Sequence, residues 1–409
     1  MSDTGFRWNP ALKTREVLDY IAEHKNGDLR QLAFRSSPFE HVDRIELMQQ
    51  WEGRQRIRKK LPSWYAQADI LYPAKLNLEQ CSSERTADYK ATLFRRHFEK
   101  RETVVADLTG GYGVDSFALA SEVKTVHYCE QNGDLAALVK HNAEIMGHSN
   151  IRIYPQEARN FFLQSKLNFD LVYADPARRG EQSERIFALE DTQPNIKELL
   201  EWLPHRTEFL LLKTSPFLDI QQGLQALPQT EEIHIVAVGK EVKELLWWIP
   251  LNGKKKKVQL FCSHWSQQQW IQLSLDLHVL RESQATFGPI QNYVYLPNPA
   301  LMKSGAFDWI SEHLQFTKLN PQSHLYTSAQ ASVFPGKRFK VIRLVQPSGK
   351  NLKPYRKKAW EVVCRNYPDT VDTLRKKHQL LPGGKNHYLL FTRDVQNKPI
   401  LIEAVLETD

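Results

Sequence analysis

Cysteine is scarce in this sequence. The 409 residues contain four, Cys81, Cys129, Cys262 and Cys364, with no C-x-x-C pair. That scatter excludes a cysteine-rich zinc module and a disulfide framework, and it suits a reducing compartment. No metal site is expected. Long apolar runs are missing too. None approaches the roughly 18 residues that cross a bilayer, and runs such as Leu245–Leu251 have the length of buried strands. The opening MSDTGFRWNP lacks the apolar stretch of a secretory signal. Together these absences predict a cytoplasmic protein with no membrane partner. Internal repeats and low-complexity segments are absent as well.

What is present is ordinary in bulk and uneven in distribution. Hydrophobic content of 41% and charged content of 25% suit a globular protein, and the length calls for two to four folding units. The net charge of +8 permits a polyanionic partner without requiring one. Residues 335–409 hold 16 Lys+Arg against 7 Asp+Glu, a surplus that matches the excess of the whole chain. Charge concentrated in one small unit is the footprint of a phosphate-backbone reader, although it would also serve solubility.

The most informative stretch is VVADLTGGYGVDSFALA, Val104 to Ala120. Val104 to Ala106 reads as a buried strand ending in Asp107. A glycine turn follows, Gly110, Gly111 and Gly113, and then a helix with Val114, Phe117 and Ala118 at helical spacing. Strand, glycine turn and helix bring backbone N–H groups and a helix N-terminus to the carboxyl edge of a parallel sheet, where such folds bind ligands. Ser116 stands where a dinucleotide fingerprint needs its third glycine, and no P-loop sequence occurs. A second strand, Thr125–Tyr128, leads to Glu130, 23 residues beyond Asp107. That is the place of an acid that accepts ribose hydroxyls. After a third strand, Ile151–Tyr154, come Gln156, Glu157 and Ala158. A fourth, Phe169–Ala174, ends in Asp175-Pro176-Ala177-Arg178-Arg179. A fifth, Phe209–Leu212, runs into Lys213 and onward to Phe217.

The strand-end acid with T-G-G-x-G resembles motif one of the class I S-adenosylmethionine-dependent methyltransferases. The whole chain resembles the bacterial group of these enzymes with a C-terminal THUMP-like domain, on LNLEQCSSERTADYKA, DLTGGYGVD, the DPARR stretch and GGKNHYLLFT. The resemblance implies a cofactor, S-adenosylmethionine, held by Asp107, Thr109, Gly110, Gly111, Gly113, Asp115, Glu130, Gln156, Glu157, Ala158 and Asp175. Glu157 would equally serve as an ordinary acid at a helix start. Asp175 and Pro176 would be catalytic, with a carboxylate and a carbonyl aimed at the transferred methyl and holding a nucleophilic nitrogen.

The departures bear on chemistry. Base amino-methyltransferases carry Asp-Pro-Pro followed by an aromatic that stacks on the base, whereas Ala177 and Arg178 stand here. Asp-Pro-x-Arg also occurs in 5-methyluridine methyltransferases, but those need a cysteine nucleophile beyond the fifth strand, and none follows Lys213. A nitrogen target is therefore the better expectation. Arg178, Arg179, Lys213 and Phe217 are candidate substrate contacts, through phosphate or base stacking. Either arginine would also fit a salt bridge at the sheet edge.

The remaining segments read as flanking units. Residues 1–100 read as helical, with a helix after Asn9-Pro10, a second opened by Ser37-Pro38, a basic stretch from Arg54 to Lys60, and a helix capped by Ser82 or Ser83. Residues 101–282 would be the Rossmann-like methyltransferase domain of seven strands. It would close with strands near Ile233–Val238 and Lys257–Cys262, and Lys254–Lys257 would lie in the hairpin between them. Residues 283–333 would form a small ferredoxin-like α+β unit. Residues 334–409 would form the THUMP-like domain, with strands at Phe339–Val345, Tyr388–Thr392 and Pro399–Leu406 and helices at Tyr355–Asn366 and Thr370–Lys377. The expected activity is methyl transfer to a base nitrogen of structured RNA, tRNA or rRNA, docked by the basic C-terminal unit. Methylation of a protein or small molecule, and non-catalytic binding of cofactor or RNA, are the alternatives. The sequence is silent on oligomeric state.

Overall fold

The computed structural model describes residues 7–25, 27–98, 102–178, 192–252 and 257–407. The chain separates into two compact units, one of residues up to 232 with 244–256, the other of 233–243 with 257 onward.

The first unit opens with helices. The Asn9 side chain accepts from the Ala11 N–H and starts a 3-10 turn at Pro10–Lys13, which leads into helix α1 (Arg15–Glu23) with Val17, Leu18 and Ile21 buried. The second expected helix does not begin at Ser37-Pro38. The Ser37 hydroxyl is spent on the Val42 carbonyl, which closes a loop, and helix α2 (Arg44–Ile57) starts later, where Asp43 and Glu46 form a reciprocal capping box. Within the basic stretch, Arg54 lies 4.2 Å over the Tyr65 ring, Arg56 pairs with Glu79, and Lys60 donates to the Leu78 and Glu79 carbonyls. These cations tie the helical region together. Helix α3 (Glu84–His97) begins as expected, with Ser83 as cap and Thr86 returning the bond.

Five parallel strands follow: β1 (Val104–Asp107), β2 (Thr125–Cys129), β3 (Ile151–Tyr154), β4 (Phe169–Ala174) and β5 (Thr207–Thr214), in the order β5-β4-β1-β2-β3. Helix α4 (Val114–Ala120) connects β1 to β2, and helix α5 (Gly133–Ile145) connects β2 to β3. Chain order reverses between β1 and β4, and the carboxyl ends of strands at such a switch point are where open α/β sheets bind ligands. The next strand, β6 (Glu232–Val238), belongs almost wholly to the second unit. The strand antiparallel to β5 is β7 (Glu241–Pro250), in register from Thr214–Leu245 to Phe209–Pro250. The expected closing strand at Lys257–Cys262 is therefore not the partner of β5. The run from Leu245 to Ile249 is fully buried and carries no alternation to reveal its direction.

In the second unit, β8 (Gln259–Ser266) and β9 (Gln269–Asp276) form a hairpin. A seven-stranded sheet contains β10 (Tyr293–Pro297), β11 (Tyr326–Ser328), β12 (Gly336–Val345), β13 (Glu361–Cys364), β14 (His387–Arg393) and β15 (Pro399–Glu407), with Thr317–Lys318 at one edge and β13 at the other. Helices α6 (Phe307–His313) and α7 (Val371–His378) complete it, the latter capped by Thr370. β10 pairs with β12, so one sheet runs from residue 293 to residue 407. The helix expected over Tyr355–Asn366 is absent. A 3-10 turn at Lys353–Tyr355 is followed by β13, which pairs in parallel with β14. Val362 and Val363 are β-branched, and pairing overrides the helix-like charge spacing before them.

Candidate active site

β1 is central in the sheet and buried, so its last residue is delivered to the carboxyl edge at the switch point. Asp107 is 1% exposed and accepts hydrogen bonds from Ser116 Oγ at 2.6 Å and the Thr109 N–H at 3.0 Å. Burial pushes its carboxyl up to about 7, against these two bonds, which favour the ionised form. The serine at the fingerprint's third glycine position thus serves the acid.

The glycines are required by two different constraints. A Cβ on Gly110 would sit 2.1 Å from the Tyr128 ring, so no side chain fits. Gly111 adopts φ +52°, and a Cβ there would meet only the Thr109 carbonyl at 3.8 Å, so its outer side is open to a ligand. Glu130, just past β2, clamps this loop. Its two carboxylate oxygens accept from the Gly111 N–H at 2.9 Å and the Asn132 N–H at 2.8 Å. Burial raises its pKa, opposed by those same bonds. The Tyr128 hydroxyl donates to the Gly111 carbonyl at 2.6 Å. Gly113, at φ +83°, opens α4. Beyond β3, Gln156 and Glu157 are half-buried and Ala158 is buried at the start of a short helix, Ala158–Gln164.

Asp175 follows β4. Its N–H donates to Thr109 Oγ1 at 2.6 Å, which fastens the Asp-Pro turn to the glycine loop. The carboxylate pairs with the ammonium of Lys213 on β5. Lys213 is thus engaged with Asp175 itself. Burial opposes the Lys213 charge, but Asp175, Glu244 and Asp115 outweigh it and hold the group well above the ordinary lysine value. Pro176 is half-buried, and Phe217, past the end of β5, is 88% exposed. Arg179 lies outside the described residues, as do lysines 254–256, and of Arg178 only the backbone is described.

The structure also brings in residues that sequence reasoning did not assign. Lys90 on α3 is fully buried between Asp115 and Glu244, and Ser82 and Tyr173 complete its surroundings. One signal was available. Thr86, Ala87, Lys90, Ala91 and Phe94 fall on one helical stripe, and a lysine on a buried stripe requires a counter-charge.

A crystal structure from Porphyromonas gingivalis W83, of a protein assigned as a methyltransferase, matches this chain with a TM-score of 0.87. The match covers 96% of this chain and 98% of that one, at 30% sequence identity. The chain belongs to the same methyltransferase family. Within this methyltransferase, residues 293–335 match a ferredoxin-like domain family and residues 336–404 a THUMP domain-like family. An 82-residue stretch is 34% identical to a Mycoplasma mobile protein named an uncharacterized RNA methyltransferase, covering 20% of this chain and 23% of that relative. The chain thus spans under a quarter of the length of the curated relative it matches.

Proposed function

We propose that this methyltransferase uses S-adenosylmethionine to methylate a base nitrogen of structured RNA, tRNA or rRNA, docked by its basic C-terminal region. The observation that carries the reading is the link from Asp107 through Thr109 to Asp175 across the switch point of the sheet. The residues suit the cofactor. The open side of Gly111, the acid at Asp107 and the loop-clamping Glu130 form a cradle with carboxyl groups at two places. Asp107 would meet the amino group, Glu130 the ribose and Gln156 or Glu157 the adenine edge. When bound, S-adenosylmethionine supplies an electrophilic methyl group on a sulfonium. Asp175 would accept a hydrogen bond from the target N–H, turn the nitrogen lone pair towards that methyl and favour loss of the proton as the new bond forms. Phe217 would offer a face for a base, and Arg178 and Arg179 would take phosphate or base.

RNA is favoured as substrate by the THUMP-like match, by the surplus of Lys and Arg after residue 335, and by the name of the Mycoplasma mobile relative. In the division that accompanies this reading, residues 1–100 are helical, 101–282 carry methyl transfer, 283–333 are ferredoxin-like and 334–409 dock RNA. The test is transfer of labelled methyl to total RNA from a strain lacking the protein, followed by nucleoside analysis. One labelled nucleoside that disappears with Asp175→Ala is expected. Cofactor binding with no label in RNA would redirect the search to proteins and metabolites.

A further inference from the structure

Helix α3 lies outside the sheet in sequence, yet its Lys90 ends inside the site. Lys90 has no solvent exposure. Its ammonium lies 2.7 Å from Glu244 on β7 and 3.1 Å from Asp115 on α4, and it donates to Ser82 Oγ at 3.1 Å. Asp115 also accepts from the Ser82 and Tyr173 hydroxyls, each at 2.8 Å. Tyr173 stands two residues before Asp175, which holds Lys213. Lys213 stands opposite Leu246 in the antiparallel pair of β5 with β7, so Glu244 is its diagonal neighbour on the same face. Tyr173, opposite Leu211 in the β4–β5 pair, is likewise one diagonal step from Lys213 and carries the bond to Asp115. Asp175, Glu244 and Asp115 all act on the Lys213 charge, so three carboxylates and two ammonium groups share this largely buried face.

Such a network is a poor way to gain stability. Desolvation of a buried ion pair consumes most of its Coulombic gain, and a well-packed apolar pair does as well or better. A charge pair beside a reacting carboxylate has a different use. We propose that Lys90 and Glu244 are positioning residues for methyl transfer: with Asp115 they fix Lys213, and Lys213 fixes the Asp175 carboxylate towards the target nitrogen. The proposal rests on the reading of Asp175 as the group that holds the substrate nitrogen. If Lys90 is removed, Asp115 and Glu244 lose their shared cation, and Lys213 is the other cation acting on both. It is drawn away from Asp175. An Asp175 carboxylate left without its ammonium partner is no longer held towards the target nitrogen, so methyl transfer falls. Neutralising Glu244 as well leaves only Asp115 to draw on Lys213 and so weakens the pull.

Three full-length variants test this: Lys90→Met, Glu244→Gln and the double variant. The first measurement needs no substrate. In the nitrogen-15 spectrum of lysine ammonium groups, the Lys213 signal is identified by its loss in Lys213→Met. It is expected to shift in Lys90→Met and to return towards its original position in the double variant. The second is the kinetics of methyl transfer. kcat is expected to fall about tenfold or more in Lys90→Met, with KM for S-adenosylmethionine unchanged, and to recover in the double variant. A Lys213 signal that stays in place in Lys90→Met would overturn the proposal, even if the rate falls. If Lys90→Met does not fold, the comparison of Glu244→Gln with the double variant decides in the same way. Failure of the unmodified protein to methylate RNA would sink the substrate reading, while the ammonium spectrum would still decide the network.

Discussion

Asp175 and Asp107 stand on adjacent strand ends, yet their surroundings set them different tasks. Asp175 is partly exposed beside a cation, so it can exchange Lys213 for, or share it with, a substrate N–H. Asp175→Ala is expected to lower methyl transfer by about 10²–10⁴-fold, the range for a positioned proton acceptor. Cofactor affinity measured by calorimetry should stay within a few fold, and a large loss of binding would contradict the division of roles. Asp107 is sealed from solvent and has its carboxyl raised to about 7 by burial. Between about pH 4 and 7 the folded state therefore binds more protons than the unfolded chain, and this residue lowers stability as pH rises through that window. The effect is at most on the order of 4 kcal/mol. Urea unfolding of Asp107→Asn at pH 5 and pH 7.5 should show a smaller fall in stability than the unmodified protein shows. An identical fall would mean that the raised carboxyl is not that of Asp107. Both acids were legible in the sequence because each closes an apolar run before a turn-forming residue. Of the network, only the burial of Lys90 was signalled locally, by its helical stripe; its partners lie 25 and 154 residues away, and nothing local names them.

At the scale of elements, what reads clearly is what local chemistry decides. β3 and β4 have the expected bounds, since each is a short run rich in β-branched and aromatic residues between polar turns. The Ser83 cap, too, is a property of four consecutive residues. β7 was legible as a buried apolar run, but its place beside β5 comes from a distant partner, and β13 was misread as helix because its pairing with β14 is equally remote. The glycine turn joins both kinds of information. Gly110 is read from sequence as a loop residue, but its intolerance of a side chain comes from Tyr128 on the next strand. Gly110→Ala is accordingly expected to displace the loop and weaken cofactor binding by at least tenfold, with a lowered thermal midpoint. Gly111→Ala meets no neighbour but must keep φ +52°, so a smaller loss of stability, of about 1 kcal/mol, is expected. Equal behaviour of the two variants in thermal unfolding and calorimetry would show that steric fit is not what distinguishes them.

Across the whole molecule, charge separates by task. The first unit gathers buried carboxylates around the switch point of its sheet, and the residues after 335 carry the basic surplus on their surface. Lys350, Lys353, Lys357 and Lys358 are exposed on the segment between β12 and β13, next to the 3-10 turn at Lys353–Tyr355. If this segment neutralises RNA phosphates, binding must release counterions, and affinity must fall with salt according to the number of contacts. Replacing Lys353 and Lys357 by glutamate should then weaken binding of total tRNA or rRNA and flatten the plot of log affinity against log salt by about one to two units. The variant's affinity for S-adenosylmethionine should not change, because the substitutions lie far along the chain from the glycine loop and alter no strand or core residue. That contrast separates docking from chemistry. An unchanged salt slope would mean that these lysines only keep the surface soluble, and RNA would have to be sought on another face. A loss of cofactor affinity together with RNA affinity would mean that the substitutions had damaged the fold.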